Sequence, residues 1–175
     1  MPTPDIQLII SDVDGVLTNG GVTFDNSGME YKTFNIKDGL GIKMWQRSGR
    51  HFAVLTARQS QIVETRCGEL GIEIVKQGFT KKLQAAIDIA SHLGVSTEQT
   101  CFIGDDLTDL STIAHVGFGV AVADAVSELR DTADFVTIKN GGTGAVRELV
   151  EVLLKQYGEW DNLVEIHYKE TVKNA

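Results

Sequence analysis

Solid apolar runs alternate with helically spaced apolar stripes along most of this chain, and that alternation carries the first structural expectation. The run ending in Ile10 predicts a buried parallel strand, and His51 to Leu55, Ile72 to Val75, Thr100 to Ile103, Val116 to Val120 and Phe135 to Ile138 predict five more. Between them, Leu40, Ile42, Met44 and Trp45 form a helical stripe that ends near Ser48-Gly49. Ile62, Val63, Cys67 and Leu70 form another, which Gly71 closes as a C-cap. Leu83, Ala86, Ile87, Ala90 and Leu93 share one face of a helix over 81–93, and further helices are predicted over 125–132 and 145–157. Strand and helix in turn predict an α/β fold: a doubly wound, Rossmann-like, mostly parallel sheet with helices on both faces.

One segment breaks the alternation. Val22 and Phe24 alternate with polar neighbours, Asp25-Asn26-Ser27-Gly28 has turn chemistry, and Phe34 and Ile36 alternate with Thr33 and Asn35. The pattern predicts a projecting β-hairpin over about 20–36. Two strands alone are marginal in water, so this hairpin is expected to pack on its own domain or on a neighbouring subunit. Gly141 to Gly144 predicts a mobile loop, and the tail from about 158 to 175 has no periodicity and no assigned role. With no linker, repeat or low-complexity tract, residues 1–175 are expected to form one domain.

Composition narrows the function classes. A net charge of −8 argues against a nucleic-acid or anionic-membrane surface, while leaving room for a divalent cation. Cys67 and Cys101 fall in a predicted helix and strand and are expected to be buried free thiols in a reducing compartment. No segment has the length and apolarity of a membrane span, and the first residues lack an export signal's charge and apolar core; the expectation is a cytoplasmic protein.

Chemistry concentrates where strands stop. The first run ends at Asp12 and Asp14, followed by Gly15, and in an open α/β sheet the carboxyl ends of the strands face the ligand crevice. Two carboxylates with one spacer repel each other unless a cation lies between them or one holds a proton. Alone, an Asp-x-Asp fits a helix N-cap beside a turn acid equally well. The same crevice, however, collects Thr56, a first-turn lysine and Asp105. Lys81 and Lys82 sit where a cation opposes the helix dipole, so at least one of them is expected to have an anionic partner. Phosphoryl transfer needs such a set: Asp12 can attack, Asp14 can shuttle a proton, and Thr56 and Lys82 can hold phosphate oxygens. Asp105, Asp12 and a backbone carbonyl of the first loop offer hard oxygens suited to Mg²⁺.

Four motifs then appear in a recognisable order: Asp-Val-Asp-Gly-Val-Leu-Thr at 12–18, Leu-Thr-Ala-Arg at 55–58, Gln-Gly-Phe-Thr-Lys-Lys at 77–82 and Gly-Asp-Asp-Leu-Thr-Asp at 104–109. The set resembles the motifs of the haloacid dehalogenase superfamily. The hairpin, Lys-Asp-Gly-Leu-Gly at 37–41, Ala-Val-Ala-Asp-Ala at 121–125 and Gly-Gly-Thr-Gly-Ala-Val-Arg-Glu at 141–148 are similar to its capless phosphatases. These act on 3-deoxy-D-manno-octulosonate 8-phosphate or on nine-carbon, sialic-type sugar acid phosphates. The resemblance implies a Mg²⁺-dependent phosphomonoesterase with a phospho-Asp12 intermediate, Asp14 as general acid and then base, and Asp12, Asp14 and Asp105 around the metal. It implies Gly15, Thr56, Ala57, Arg58, Lys82 and Arg147 on the phosphate or substrate side, with Asp106 and Asp109 behind the metal ligands. The glycine loop with Arg147 would close over a site, and hairpins would associate in a homotetramer whose subunits complete each other's sites. Lys82 is preferred to Lys81 because it directly precedes Leu83. Two other classes compete. A receiver-like phosphoacceptor would carry its phosphorylated aspartate after the third strand, where Lys76-Gln77 stand instead, and a non-catalytic sugar-phosphate binder would not need Asp14.

Overall fold

The computed structural model describes residues 4–169. Its frame is a six-stranded parallel sheet built from β1 (Leu8–Ser11), β4 (His51–Thr56), β5 (Ile74–Gln77), β6 (Thr100–Gly104), β7 (Phe118–Ala121) and β8 (Phe135–Val136), ordered β5-β4-β1-β6-β7-β8. β1 is central, paired with β4 on one side and β6 on the other. The chain winds outward in one direction through β4 and β5, then returns to β6 and winds the other way. The order therefore reverses at β1 and β6, where a crevice must open beyond their carboxyl ends.

Helices cover both faces. They are α1 (Ile36–Arg47), α2 (Gln61–Leu70), α3 (Lys82–His92), α4 (Leu110–Ile113), α5 (Ser127–Thr132), α6 (Ala145–Gln156) and α7 (Trp160–Tyr168). Gly71 caps α2 in the left-handed conformation at φ 70°, as its sequence position predicts. Helix α6 buries Ala145, Val146, Leu149, Val150, Leu153 and Leu154 on one stripe. It packs against α1, whose Trp45 is fully buried and donates from Nε1 to the His51 carbonyl at 2.8 Å. Cys67 and Cys101 are both free and buried.

Three expectations need correction. The hairpin is shorter than 20–36: only β2 (Thr23–Phe24) and β3 (Glu30–Tyr31) pair, Thr23 with Tyr31 and Phe24 with Glu30. The turn between them is the predicted one, with Asp25 Oδ1 accepting from the backbone N–H groups of Ser27 and Met29, both at 2.9 Å. Pairing stops because Phe34 turns into the core and Asn35 caps α1 by accepting from Lys37 N–H at 2.8 Å, which places Ile36 inside a helix. The loop at 141–144 is held rather than mobile. Gly142 N–H donates to the Val16 carbonyl at 2.8 Å, and a Cβ on Gly141 would lie 1.7 Å from the Gly15 carbonyl oxygen, so only glycine lets the two loops meet. Finally, the tail contains α7. Its Leu163 is buried, and the preceding Glu159 receives both Arg50 guanidinium nitrogens at 2.6 and 2.8 Å. Residues 170–175 of the tail lie outside the described residues.

Candidate active site

Asp12 follows directly on β1, Thr56 is the last residue of β4, and Asp105 follows Gly104 at the end of β6. Because the three strands are adjacent and parallel, their ends bring these residues together at the reversal point. From one side, α3 delivers Lys82. Its Nζ lies 2.7 Å from Asp12 Oδ2 and 2.6 Å from Asp109 Oδ1, with a fully buried side chain. Of the two lysines it is Lys82 that reaches the carboxylates, while Lys81 is exposed at the N-cap. An ammonium at a helix N-terminus is tolerable here because two carboxylates offset the dipole. Burial pulls the Lys82 pKa down, but the Asp12 and Asp109 charges outweigh it and hold the ammonium above the ordinary lysine value.

Asp109 braces its surroundings through both carboxylate oxygens. Its Oδ2 accepts from Asp105 N–H at 3.0 Å, fixing the turn that aims Asp105 at the crevice. Asp106 is exposed and caps that turn, accepting from Leu107 N–H at 2.7 Å. Gly15, at φ 91°, fits because a Cβ there would lie 2.0 Å from Asp105 Oδ2.

One oxygen each from Asp12, Asp105 and Asp109 falls within 4.8 Å of the others. Three carboxylates against the single Lys82 ammonium leave two negative charges uncompensated. Burial first, then the Asp109 charge, push the Asp12 carboxyl up to about 6 against the pull of Lys82. Burial and the charges of Asp12, Asp109 and Asp106 push Asp105 up to about 7. Crowded, desolvated, hard oxygen donors with a surplus of two charges fit a small divalent cation.

Asp14 has different surroundings. It is not one of the three clustered carboxylates; its Oδ1 accepts instead from Lys32 Nζ, reached from just beyond β3. Lys32 also lies 3.5 Å from Glu30, and Glu30 accepts from Arg58 Nη2 at 2.6 Å and Ser60 Oγ at 3.0 Å. Arg58 therefore stands at the crevice mouth with its charge engaged by the hairpin. Thr56 is buried, and Ala57 follows it in the loop leading to Arg58. Arg147 is not gathered in: its Nε donates to Glu151 at 2.6 Å and its guanidinium lies 5.0 Å from the centre of the Trp160 ring. Its backbone N–H donates to Asp38 Oδ1, in the first turn of α1, at 2.8 Å.

Sequence reasoning missed Lys32 and Glu30. The signal was present, since Glu30, Lys32 and Phe34 share one side of an extended segment by period two, while Met29, Tyr31 and Thr33 are exposed. An open cleft of about 480 Å³ lined by Thr80, Lys82, Leu107 and Thr108 borders the site. A larger concavity of about 580 Å³, lined by Lys43, Arg47, Arg50 and His51, lies at the start of β4, the far end of the sheet from this chemistry.

Residues 57–149 match the family described as haloacid dehalogenase-like hydrolases. The 3-deoxy-D-manno-octulosonate 8-phosphate phosphatase KdsC of Escherichia coli K12 is 43% identical over 157 residues, 90% of this chain and 84% of the relative. The chain belongs to the haloacid dehalogenase-like hydrolases. Within them it sits beside a capless subgroup, since only the short hairpin stands between β1 and α1. The 3-deoxy-D-manno-octulosonate 8-phosphate phosphatase of Moraxella catarrhalis, solved with magnesium, phosphate and KDO, superposes with a TM-score of 0.91 at 37% identity, over 94% of each chain. The cobalt-bound Haemophilus influenzae phosphatase does so with a TM-score of 0.85 at 41% identity, over 88% of this chain and 90% of that one.

Proposed function

We propose that this hydrolase is a Mg²⁺-dependent phosphomonoesterase that converts 3-deoxy-D-manno-octulosonate 8-phosphate to the sugar acid and inorganic phosphate. The observation that carries the reading is the buried Asp12, held by Lys82 beside Asp105 and Asp109, in a chain 43% identical to a phosphatase of that name. Asp12, Asp105 and Asp109 would hold the Mg²⁺, which when bound offsets repulsion between the Asp12 carboxylate and the phosphate.

In this mechanism an Asp12 oxygen attacks phosphorus, the bond from phosphorus to the sugar oxygen breaks, and Asp14 gives its proton to the departing oxygen. Water then attacks the phospho-Asp12 phosphorus, Asp14 takes up the water's proton, and phosphate leaves with Asp12 restored. Thr56, the Ala57 N–H and Lys82 hold phosphate oxygens, with Gly15 letting the first loop approach, and Arg58 meets the sugar acid. Arg147 bears on the site only indirectly, through its backbone N–H to Asp38, which ties the start of α6 to α1.

The shallow cleft gives a small sugar phosphate few walls. Val22, Phe24, Met29 and Tyr31 on the hairpin are all more than half exposed, which favours a homotetramer in which hairpins meet and subunits complete one another's sites. No helix among the described residues is long and apolar enough to cross a membrane, and a cytoplasmic location suits the expected substrate.

The test is phosphate release from a panel containing the eight-carbon substrate, a nine-carbon nonulosonate 9-phosphate and ordinary hexose phosphates, with Mg²⁺ or with a chelator. Preference for the eight-carbon acid that vanishes with chelation is expected. Preference for the nine-carbon acid would move the assignment to the sialic-type relatives, and Mg²⁺-independent release would overturn the metal site.

A further inference from the structure

We propose that Lys32 is a positioning residue for proton transfer, reaching from the hairpin to hold the Asp14 carboxylate in one orientation; this rests on the phosphatase reading. Lys32 stands in a segment whose neighbours are solvated, yet its side chain is 1% exposed, against 19% for Asp14. A paired lysine on an open surface contributes almost nothing to stability. A lysine withdrawn from water loses solvation that has to be offset by well-placed anions. Asp14 Oδ1 and Glu30 Oε1 are those anions.

The geometry suits a proton donor. Asp14 lies in a hydrogen-bonded turn after β1, and its side chain is held from outside that turn by Lys32. Lys32 engages Oδ1, which leaves Oδ2 to carry the proton and face the leaving oxygen. Glu30 in turn fixes Lys32 and joins it to Arg58 and Ser60, on the loop between β4 and α2. Asp12 does not share this support, since its partners are Lys82 and Val13 N–H. Lys32 therefore bears on the proton-transfer half of the reaction and not on the attacking half.

That division gives a test a merely structural lysine would fail. Lys32→Met should lower the rate of leaving-group release, read in a single turnover, by about ten- to a hundredfold for an unactivated alkyl phosphate and by less than about threefold for para-nitrophenyl phosphate, because in that step only the alkoxide needs a well-aimed acid. Lys32→Arg should restore most of the alkyl activity. In an Asp14→Asn background, adding Lys32→Met should cost nothing further, the mark of two residues acting through one group. Equal losses of leaving-group release on both substrates, a rise in KM alone, or an additive loss in the Asp14→Asn background would overturn the proposal. Crystal structures probe the same role without turnover: Asp14 should occupy one rotamer in the wild type and a shifted or split one in Lys32→Met, and an unchanged rotamer would refute the role. A folded protein inert toward every phosphate monoester would refute the phosphatase reading, and the rotamer comparison would still decide the role of Lys32.

Discussion

Asp12 and Asp14 stand two residues apart in one loop, and almost nothing about their surroundings is shared. Asp12 is packed among the strand ends, with Lys82 and Asp109 supplied by α3 and the turn after β6. Asp14 faces a hairpin whose two strands pair over two residues each, and its support comes from Lys32, Glu30 and Arg58. A nucleophile and a metal site need fixed charges, and fixed charges are obtained on elements already held by the core. Proton delivery and substrate recognition depend on what leaves and what binds, and in the proposed mechanism they would fall to a segment outside the sheet. The contrast predicts that damage on the Asp12 side is general and damage on the hairpin side selective.

The largest effect expected is from Asp12→Asn. The amide is nearly isosteric but a poor nucleophile, so phosphate release should fall on the order of 10³-fold or more for every substrate, alkyl or aryl, while circular dichroism stays unchanged. A folded Asp12→Asn protein with wild-type turnover would remove the covalent mechanism. Lys82→Met tests the same side through stability. Removing the Lys82 ammonium leaves Asp12 and Asp109 uncompensated, and losing one partner of a buried pair costs about 3–5 kcal/mol, read from the urea midpoint at constant m. Adding Asp109→Asn should recover part of that loss; if it recovers none, repulsion between the carboxylates is not what Lys82 relieves.

How far the sequence reaches follows the same division. The doubly wound sheet and the convergence of Asp12, Thr56 and Asp105 were legible because each depends on local apolar runs ending in polar residues, whereas the strand order was seen only in the structure. Lys82 was legible to within one position, since a first-turn lysine implies an anionic partner. The link from Asp109 to Lys82 was not legible, because it spans 27 residues and no local pattern announces it. The hairpin was placed correctly but drawn too long, because Phe34 and Ile36 satisfy strand alternation as well as they satisfy a core contact followed by a helix start. Lys32 was passed over because a lysine beside exposed residues reads as solvated until its partner is seen. Helix α7 escaped for a plainer reason: with only Leu163 buried, it has almost no stripe to detect.

A smaller effect is expected on the hairpin's outer face. Phe24 is 56% exposed, whereas Phe34 packs on the core, so only Phe24 is a clean probe of assembly. Phe24→Glu should shift light scattering to a smaller species and lower turnover of the sugar acid phosphate by about tenfold, with aryl phosphate turnover affected less, because only the larger substrate needs walls from a neighbour. A fully active wild-type monomer would end the idea that sites are completed between subunits.

The smallest effect concerns the seam that joins the two sides. Asp38, at the start of α1, is 1% exposed and accepts from Arg147 N–H at the start of α6, next to the glycine loop that braces the first loop. Its Oδ2 is buried with no partner among the described residues. Burial is the dominant influence and pushes its pKa from 3.8 up to about 6, against the backbone N–H groups of Arg147, Gly144 and Val146. A carboxyl raised in the folded state binds its proton more tightly there than in the unfolded chain. Its contribution to stability is therefore complete below the unfolded value and is lost as pH rises, the loss ending near pH 6. A shift of about two units corresponds to roughly 3 kcal/mol at most. Asp38→Asn keeps the acceptor for Arg147 N–H and has no proton to lose. The stability of the wild type relative to this variant, from urea unfolding at several pH values, should decline between about pH 4 and 6 and then level off. A difference that is flat across that range would mean that Asp38 is ionised throughout and that the helix N-terminus, not burial, governs it.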